Sequence, residues 1–164
     1  MTILYIHGLN GSLSPEKRTI LEQYGTVISP SIDYHNIPNA IECLYDTYKN
    51  KTIDVIIGSS MGGYTGFHLC KLIQKPALLF NPALASRSVE QQTPITPSNN
   101  GNNISIVLGA KDTVVDPKGT LNYIGDHLNT DQHIDIKILP YLEHRIPVDV
   151  FEEAVLKFLK NKRA

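Results

Sequence analysis

The feature that most constrains this chain is its alternation. Short, continuously apolar runs recur along it, and each is separated from the next by a stretch with helical spacing. The runs Ile3–Ile6, Thr26–Ser29, Ile53–Ile57, Ala77–Phe80, Ile104–Leu108 and Ile134–Leu139 have the length and β-branched content of strands. Between them, Ser14-Pro15 opens a helix to about Tyr24, with the serine as cap and the proline in the first turn. Further helices are expected from Pro38 to Tyr48, from Ser60 to Ile73, and from Asp116-Pro117 to Leu128. In the last helix Val148, Phe151, Ala154, Val155, Phe158 and Leu159 share one face. Strands that are apolar on both sides belong in a parallel sheet covered on both faces. The expectation is therefore a three-layer α/β/α sandwich, a mostly parallel, six-stranded, doubly wound sheet.

At 164 residues the chain suits one domain, 1–164, with a core large enough to hold a pocket. Its 41% hydrophobic and 19% charged composition excludes disorder as the main state. A net charge of −1 gives no field for a nucleic-acid backbone, so no nucleic-acid partner is expected. No run reaches the ~18 apolar residues of a membrane span, and the start of the chain has no signal-like segment. Cys43 and Cys70 cannot build a disulfide framework or a four-cysteine zinc site. Both fall in helical patterns and read as buried small hydrophobes of a reducing, cytoplasmic protein. One stretch breaks the alternation. Residues 82–103 hold Pro82, Pro94, Pro97 and a run of Ser, Asn and Gly, and form a long loop after a strand's carboxyl end. A loop of that length reads either as a minimal lid or as a plain surface excursion.

In doubly wound sheets ligands bind beyond the carboxyl ends of the strands, so the residues following each strand carry the functional information. Gly58-Ser59-Ser60-Met61-Gly62-Gly63 follows one strand and opens a helix. This G-x-S-x-G turn marks Ser60 as a candidate nucleophile. A tight strand-to-helix turn projects the hydroxyl above the sheet, and the helix start aims backbone N–H groups at a developing oxyanion. The bare pattern arises by chance in about one chain in twenty of this length. Its strand-before, helix-after context makes chance rarer. The competing reading, a phosphate-binding glycine turn, lacks both the G-x-x-x-x-G-K-[ST] and the G-x-G-x-x-G pattern.

His7-Gly8-Leu9 ends the first strand, the position from which a second oxyanion-hole amide would come. The candidate donors are the backbone N–H groups of Leu9 and Met61, and His7 itself reads as structural. A serine nucleophile needs a base, and the base needs an orienting acid. Of six histidines, His68 lies two turns into the helix after Ser60, His127 caps a helix end, and His133 precedes its strand. His35 follows a strand and stays open on position alone. His144 follows the last strand and completes the chain order Ser…Asp…His, which makes it the candidate base. Asp112 and Asp116 both follow the fifth strand. Asp116 precedes Pro117 and is accounted for as a helix cap, so Asp112 is the preferred acid with Asp116 in reserve.

Together Ile3–Ser12, Gly58–Gly63, Gly109–Asp116 and Glu143–Ile146 resemble the parts of an α/β-hydrolase in order. The whole chain is similar to the small bacterial esterases of the YqiA-like group, which open on a Leu-Tyr-x-His-Gly strand and carry a Gly-x-Ser-Met-Gly-Gly turn. Leu9 stands where that group has an aromatic residue, and Tyr141-Leu142-Glu143 replaces a glycine-rich lead-in to the histidine. The resemblance implies a minimal α/β-hydrolase fold and a carboxylesterase-type serine hydrolase. Ser60, His144 and Asp112 would form the triad, with Leu9 and Met61 as amide donors. No metal or other cofactor is implied, and a small-molecule ester or thioester is the expected partner; a chain of this size, with no cap domain, is expected to leave the site open and so to favour small acyl groups. An acyl thioesterase with the same triad and a non-catalytic binding module on the same fold are the alternatives.

Overall fold

The computed structural model describes residues 1–95, 103–128 and 133–160. In chain order the elements are β1 (Thr2–Ile6), α1 (Pro15–Glu22), β2 (Thr26–Ile28), α2 (Ala40–Tyr48), β3 (Val55–Ser59), α3 (Met61–Ile73), β4 (Ala77–Phe80), β5 (Asn103–Gly109), α4 (Pro117–Asp126), β6 (His133–Leu139) and α5 (Val148–Lys160). The strands form one sheet in the order β2-β1-β3-β4-β5-β6, and every neighbouring pair is parallel.

Local chemistry sets the helix ends. Ser14 Oγ accepts from the Lys17 N–H at 3.4 Å, with Pro15 in the first turn of α1. Asp116 Oδ1 accepts from the Lys118 N–H at 3.0 Å and caps α4 in the same way. Each cap satisfies a donor that the helix itself leaves without an acceptor.

The central strands feed two cores by simple alternation. From β1, Leu4 and Ile6 join Ile56, Leu79, Ile41, Tyr64 and Phe67 beneath α2, α3 and α4. Ile3 and Tyr5 point the other way and pack with Val55, Ile57, Leu78, Phe80, Phe151 and Val155 under α1 and α5. Burying one such side chain stabilises the fold by about 1.5–3 kcal/mol, so both faces of the sheet must be covered. Cys70 is buried in the core beneath α2, α3 and α4, and the thiol is pushed up to about 12 by burial. Cys43 departs from expectation. It faces outward on α2, whose buried positions are Ala40, Ile41, Leu44 and Tyr48, so helical phase leaves residue 43 exposed.

Register places the functional ends together. Ile6 pairs with Gly58, Ser59 with Phe80, and Gly109 with Leu139, so the segments that follow β1, β3, β4, β5 and β6 all emerge at one edge. From β1 the chain first moves outward to β2 and then returns to add β3 on the other side. The crevice of this fold class opens at that switch point, between the ends of β1 and β3.

Part of the long loop after β4 is described, and it is tied down. Gln91 accepts from the Ala40 N–H at 3.3 Å and donates to the Tyr34 carbonyl at 3.0 Å. The Gln92 N–H donates to Pro38 O at 2.7 Å, and the Tyr64 and Thr93 hydroxyls bond at 2.6 Å. The loop thus runs as a strap over α2 and α3. Residues 96–102 of the expected lid segment, and the tail 161–164, lie outside the described residues.

Candidate active site

Ser60 links β3 to α3 with φ 56° and ψ −118°, a conformation that L-residues rarely adopt. Three backbone bonds hold it there: the Ser60 N–H donates to Phe80 O at 2.9 Å, and Ser60 O accepts from Tyr64 N at 3.0 Å and Ala83 N at 3.1 Å. The turn also needs a glycine at 62, because a Cβ there would collide with the backbone carbonyls of Ile6 and His7. That contact presses the start of α3 onto the end of β1.

The β1 turn abuts the serine. A Cβ placed on Gly8 would stand 3.4 Å from Ser60 Cβ and 3.9 Å from its Oγ. The buried His7 ring braces this turn. Its Nε2 accepts from the Ile32 N–H at 2.9 Å, so Nδ1 carries the proton and donates to Gly8 O at 2.7 Å. The Tyr34 hydroxyl donates to His7 O at 2.9 Å. Neither the Leu9 nor the Met61 amide has an acceptor among the described residues. Two backbone donors therefore flank the Ser60 turn, one from each side of the switch point.

His144 follows β6 and Asp112 follows β5. His144 Nδ1 donates to Asp112 Oδ2 at 2.7 Å. Asp112 Oδ1 accepts from the Val114 N–H at 2.8 Å and the Val115 N–H at 2.9 Å. One carboxylate oxygen of Asp112 thus closes its own turn while the other meets the imidazole. The Asp112 side chain is fully buried, while that of His144 keeps 28% of its surface. A buried carboxylate with three donors is satisfied in place and fixes the proton on Nδ1, which leaves Nε2 as the outward lone pair. Asp116 is occupied by its cap. No direct hydrogen bond joins His144 to Ser60 Oγ among the described residues. Such bonds are often long in apo structures and tighten when substrate is bound.

The other histidines lie elsewhere. His68 is buried between the Tyr64 and Phe67 rings of α3, and burial together with the nearby Lys71 and Arg87 charges lowers it to about 3. His127 Nδ1 donates to Tyr123 O at 2.8 Å at the end of α4. His133 starts β6 at the far edge of the sheet, and His35 is exposed in the segment after β2. Sequence reasoning did not single out Asn81, the buried residue after β4. Its side chain donates to the carbonyls of Glu143 (3.0 Å) and His144 (3.1 Å) and accepts from the Gly109 N–H at 2.7 Å.

The family model of the uncharacterised protein family UPF0227 matches residues 2–94, more than half of the chain. The chain belongs to that family. The matched part of this UPF0227 member contains the His7-Gly8 turn and the Ser60 turn, while Asp112 and His144 lie beyond it. No curated protein sequence is similar to it at a significant level. Its architecture is the α/β-hydrolase fold, as solved structures show. Arabidopsis thaliana SOBER1 is similar at TM-score 0.69 with 16% identity, covering 97% of this chain and 99% of that one. A monoacylglycerol lipase of Paleococcus ferrophilus is similar at 0.69 and 14%, covering 98% and 94%. The Bacillus cereus carboxylesterase is similar at 0.67 and 15%, covering 97% and 87%. No helix among the described residues of this UPF0227 chain is long and apolar enough to cross a membrane.

Proposed function

We propose that this UPF0227 chain is a serine hydrolase of the carboxylesterase type, acting on small-molecule esters through Ser60, His144 and Asp112. One observation carries the reading. A histidine bound to a buried carboxylate at 2.7 Å emerges at the sheet edge that also bears a strained serine flanked by two available amides. In the reaction His144 Nε2 takes the Ser60 Oγ proton as the oxygen attacks the ester carbonyl. The tetrahedral oxyanion accepts from the Leu9 and Met61 N–H groups, which act on charge present only in the transition state. Asp112 holds the imidazolium upright and in the right tautomer. His144 then protonates the leaving alkoxide, and water activated by the same Nε2 releases the acyl group and restores Ser60. Every atom in this cycle comes from the protein, the ester and water, so the proposal needs no cofactor. His144 and Ser60 are only half-buried, which suits a small acyl group presented from solvent.

The test is hydrolysis of p-nitrophenyl acetate, butyrate and octanoate, with fluorophosphonate labelling alongside. Wild type is expected to turn over and to label. Ser60→Ala loses label and about 10⁴-fold or more in kcat, and His144→Ala and Asp112→Asn fall steeply as well. Labelling or turnover that ignores Ser60 would overturn the proposal and leave a binding module on a hydrolase fold.

A further inference from the structure

Asn81 is 1% exposed and stands where β4 ends, at the centre of the edge from which the site rises. Its backbone is left-handed, with φ 41°, and its N–H continues the sheet by donating to Val107 O at 2.9 Å. The side-chain amide has one possible orientation. Gly109 N–H must meet its oxygen, and the two carbonyls of Glu143 and His144 must meet its nitrogen. An asparagine is the residue that offers one acceptor and two donors in this span. The aspartate isostere would turn an oxygen towards the two carbonyls.

The bonds reach both partners of the His144–Asp112 pair. Gly109 is fixed at its N–H by Asn81, and its carbonyl accepts from the Asp112 N–H at 3.2 Å. His144 is held directly through its own carbonyl. Two residues further along, the Ala83 N–H donates to Ser60 O, so the segment 81–83 touches the loops of all three candidate residues. We infer that Asn81 is the positioning residue of this site: its side chain sets the separation of the His144 and Asp112 loops and thereby aligns the imidazole. The inference rests on the serine-hydrolase reading for its effect on rate, but its effect on geometry can be read without any turnover.

Two variants test it. Asn81→Gly keeps the left-handed backbone without strain and removes all three side-chain bonds. Asn81→Asp keeps the shape and the acceptor for Gly109 but loses both donors. Against p-nitrophenyl acetate, each is expected to lower kcat about 10²-fold, the scale of a misplaced catalytic group, with KM changed less than twofold. The far-downfield proton resonance of the His144–Asp112 hydrogen bond should weaken or vanish in both variants and persist in Ser60→Ala. Retained kcat and an unchanged resonance in folded Asn81→Gly would overturn the inference. If that variant does not fold, Asn81→Asp decides. Loss of folding in both would also overturn it, since Asn81 would then be a residue of global stability. A wild type without esterase activity whose resonance still depends on Asn81 would sink the hydrolase reading and leave the positioning role intact.

Discussion

His68 shows how one buried side chain can make stability depend on pH. Burial, reinforced by the charges of Lys71, Arg87 and His127, takes its ring from the ordinary 6.5 to about 3, so the folded chain carries it neutral. Its Nε2 has no hydrogen-bond partner among the described residues. The unfolded chain takes up a proton on this residue below pH 6.5, and the folded chain does not. The stability it confers is therefore complete above pH 6.5 and is lost as pH falls towards 3, reaching about 2 kcal/mol by pH 5. Urea unfolding of wild type and His68→Phe at pH 7.5 and pH 5 should show that excess loss in wild type alone. Parallel losses would mean that the ring is free to charge. At this scale the sequence was uneven in what it disclosed. Ser60 was legible because a strand, glycines and a helix surround it, and Asp116 could be set aside because Pro117 marks a helix start. Asn81-Pro82 reads only as a turn after an apolar run, since its partners lie 28 and more than 60 residues away. Long-range hydrogen bonds leave no local pattern.

Among the elements, α3 and the strap after β4 depend on each other. Arg87 donates to the carbonyls of Ala83 and Leu84 while its guanidinium lies 4.0 Å over the Tyr64 ring, and Gln91 anchors the far end of the strap to the start of α2. Buried amide bonds of the Gln91 kind cost about 1–3 kcal/mol when their partners are stranded. Gln91→Ala should raise the rate of limited proteolysis between residues 83 and 95 at least severalfold, with little change in the far-UV spectrum. Unchanged cleavage would show that Thr93 and Gln92 suffice to hold the strap. Helices were legible from caps and apolar spacing, and their observed ends fall within a few residues of those expected. The strap was legible only as an irregularity, because prolines and polar residues announce that regular structure stops without saying where the chain goes next.

At the scale of the molecule, the sheet ends in β6, an edge strand with alternating exposure. Its outward Lys137 pairs with Glu153 at 2.9 Å and separates Ile136 from the half-exposed Ile138. An exposed pair of this kind contributes little to stability, but a lysine on an open edge discourages pairing with another copy. Lys137→Ile should alter stability by no more than about 1 kcal/mol yet speed aggregation, read as light scattering at matched folded fraction. Equal scattering would assign the protection to Asp135 or to α5. Parallel pairing was legible in the continuous apolar runs, whereas the order β2-β1-β3-β4-β5-β6 was not, since strand order is decided by contacts between distant segments. That order has a consequence in time. Strands β1 to β4 carry the serine turn and its amides, whereas the segment bearing His144 follows the strand that is last both in the chain and in the sheet. During synthesis the ribosome therefore releases Ser60 well before His144. On the proposed mechanism the growing polypeptide has no hydrolytic power, and activity switches on only after the final edge is laid down.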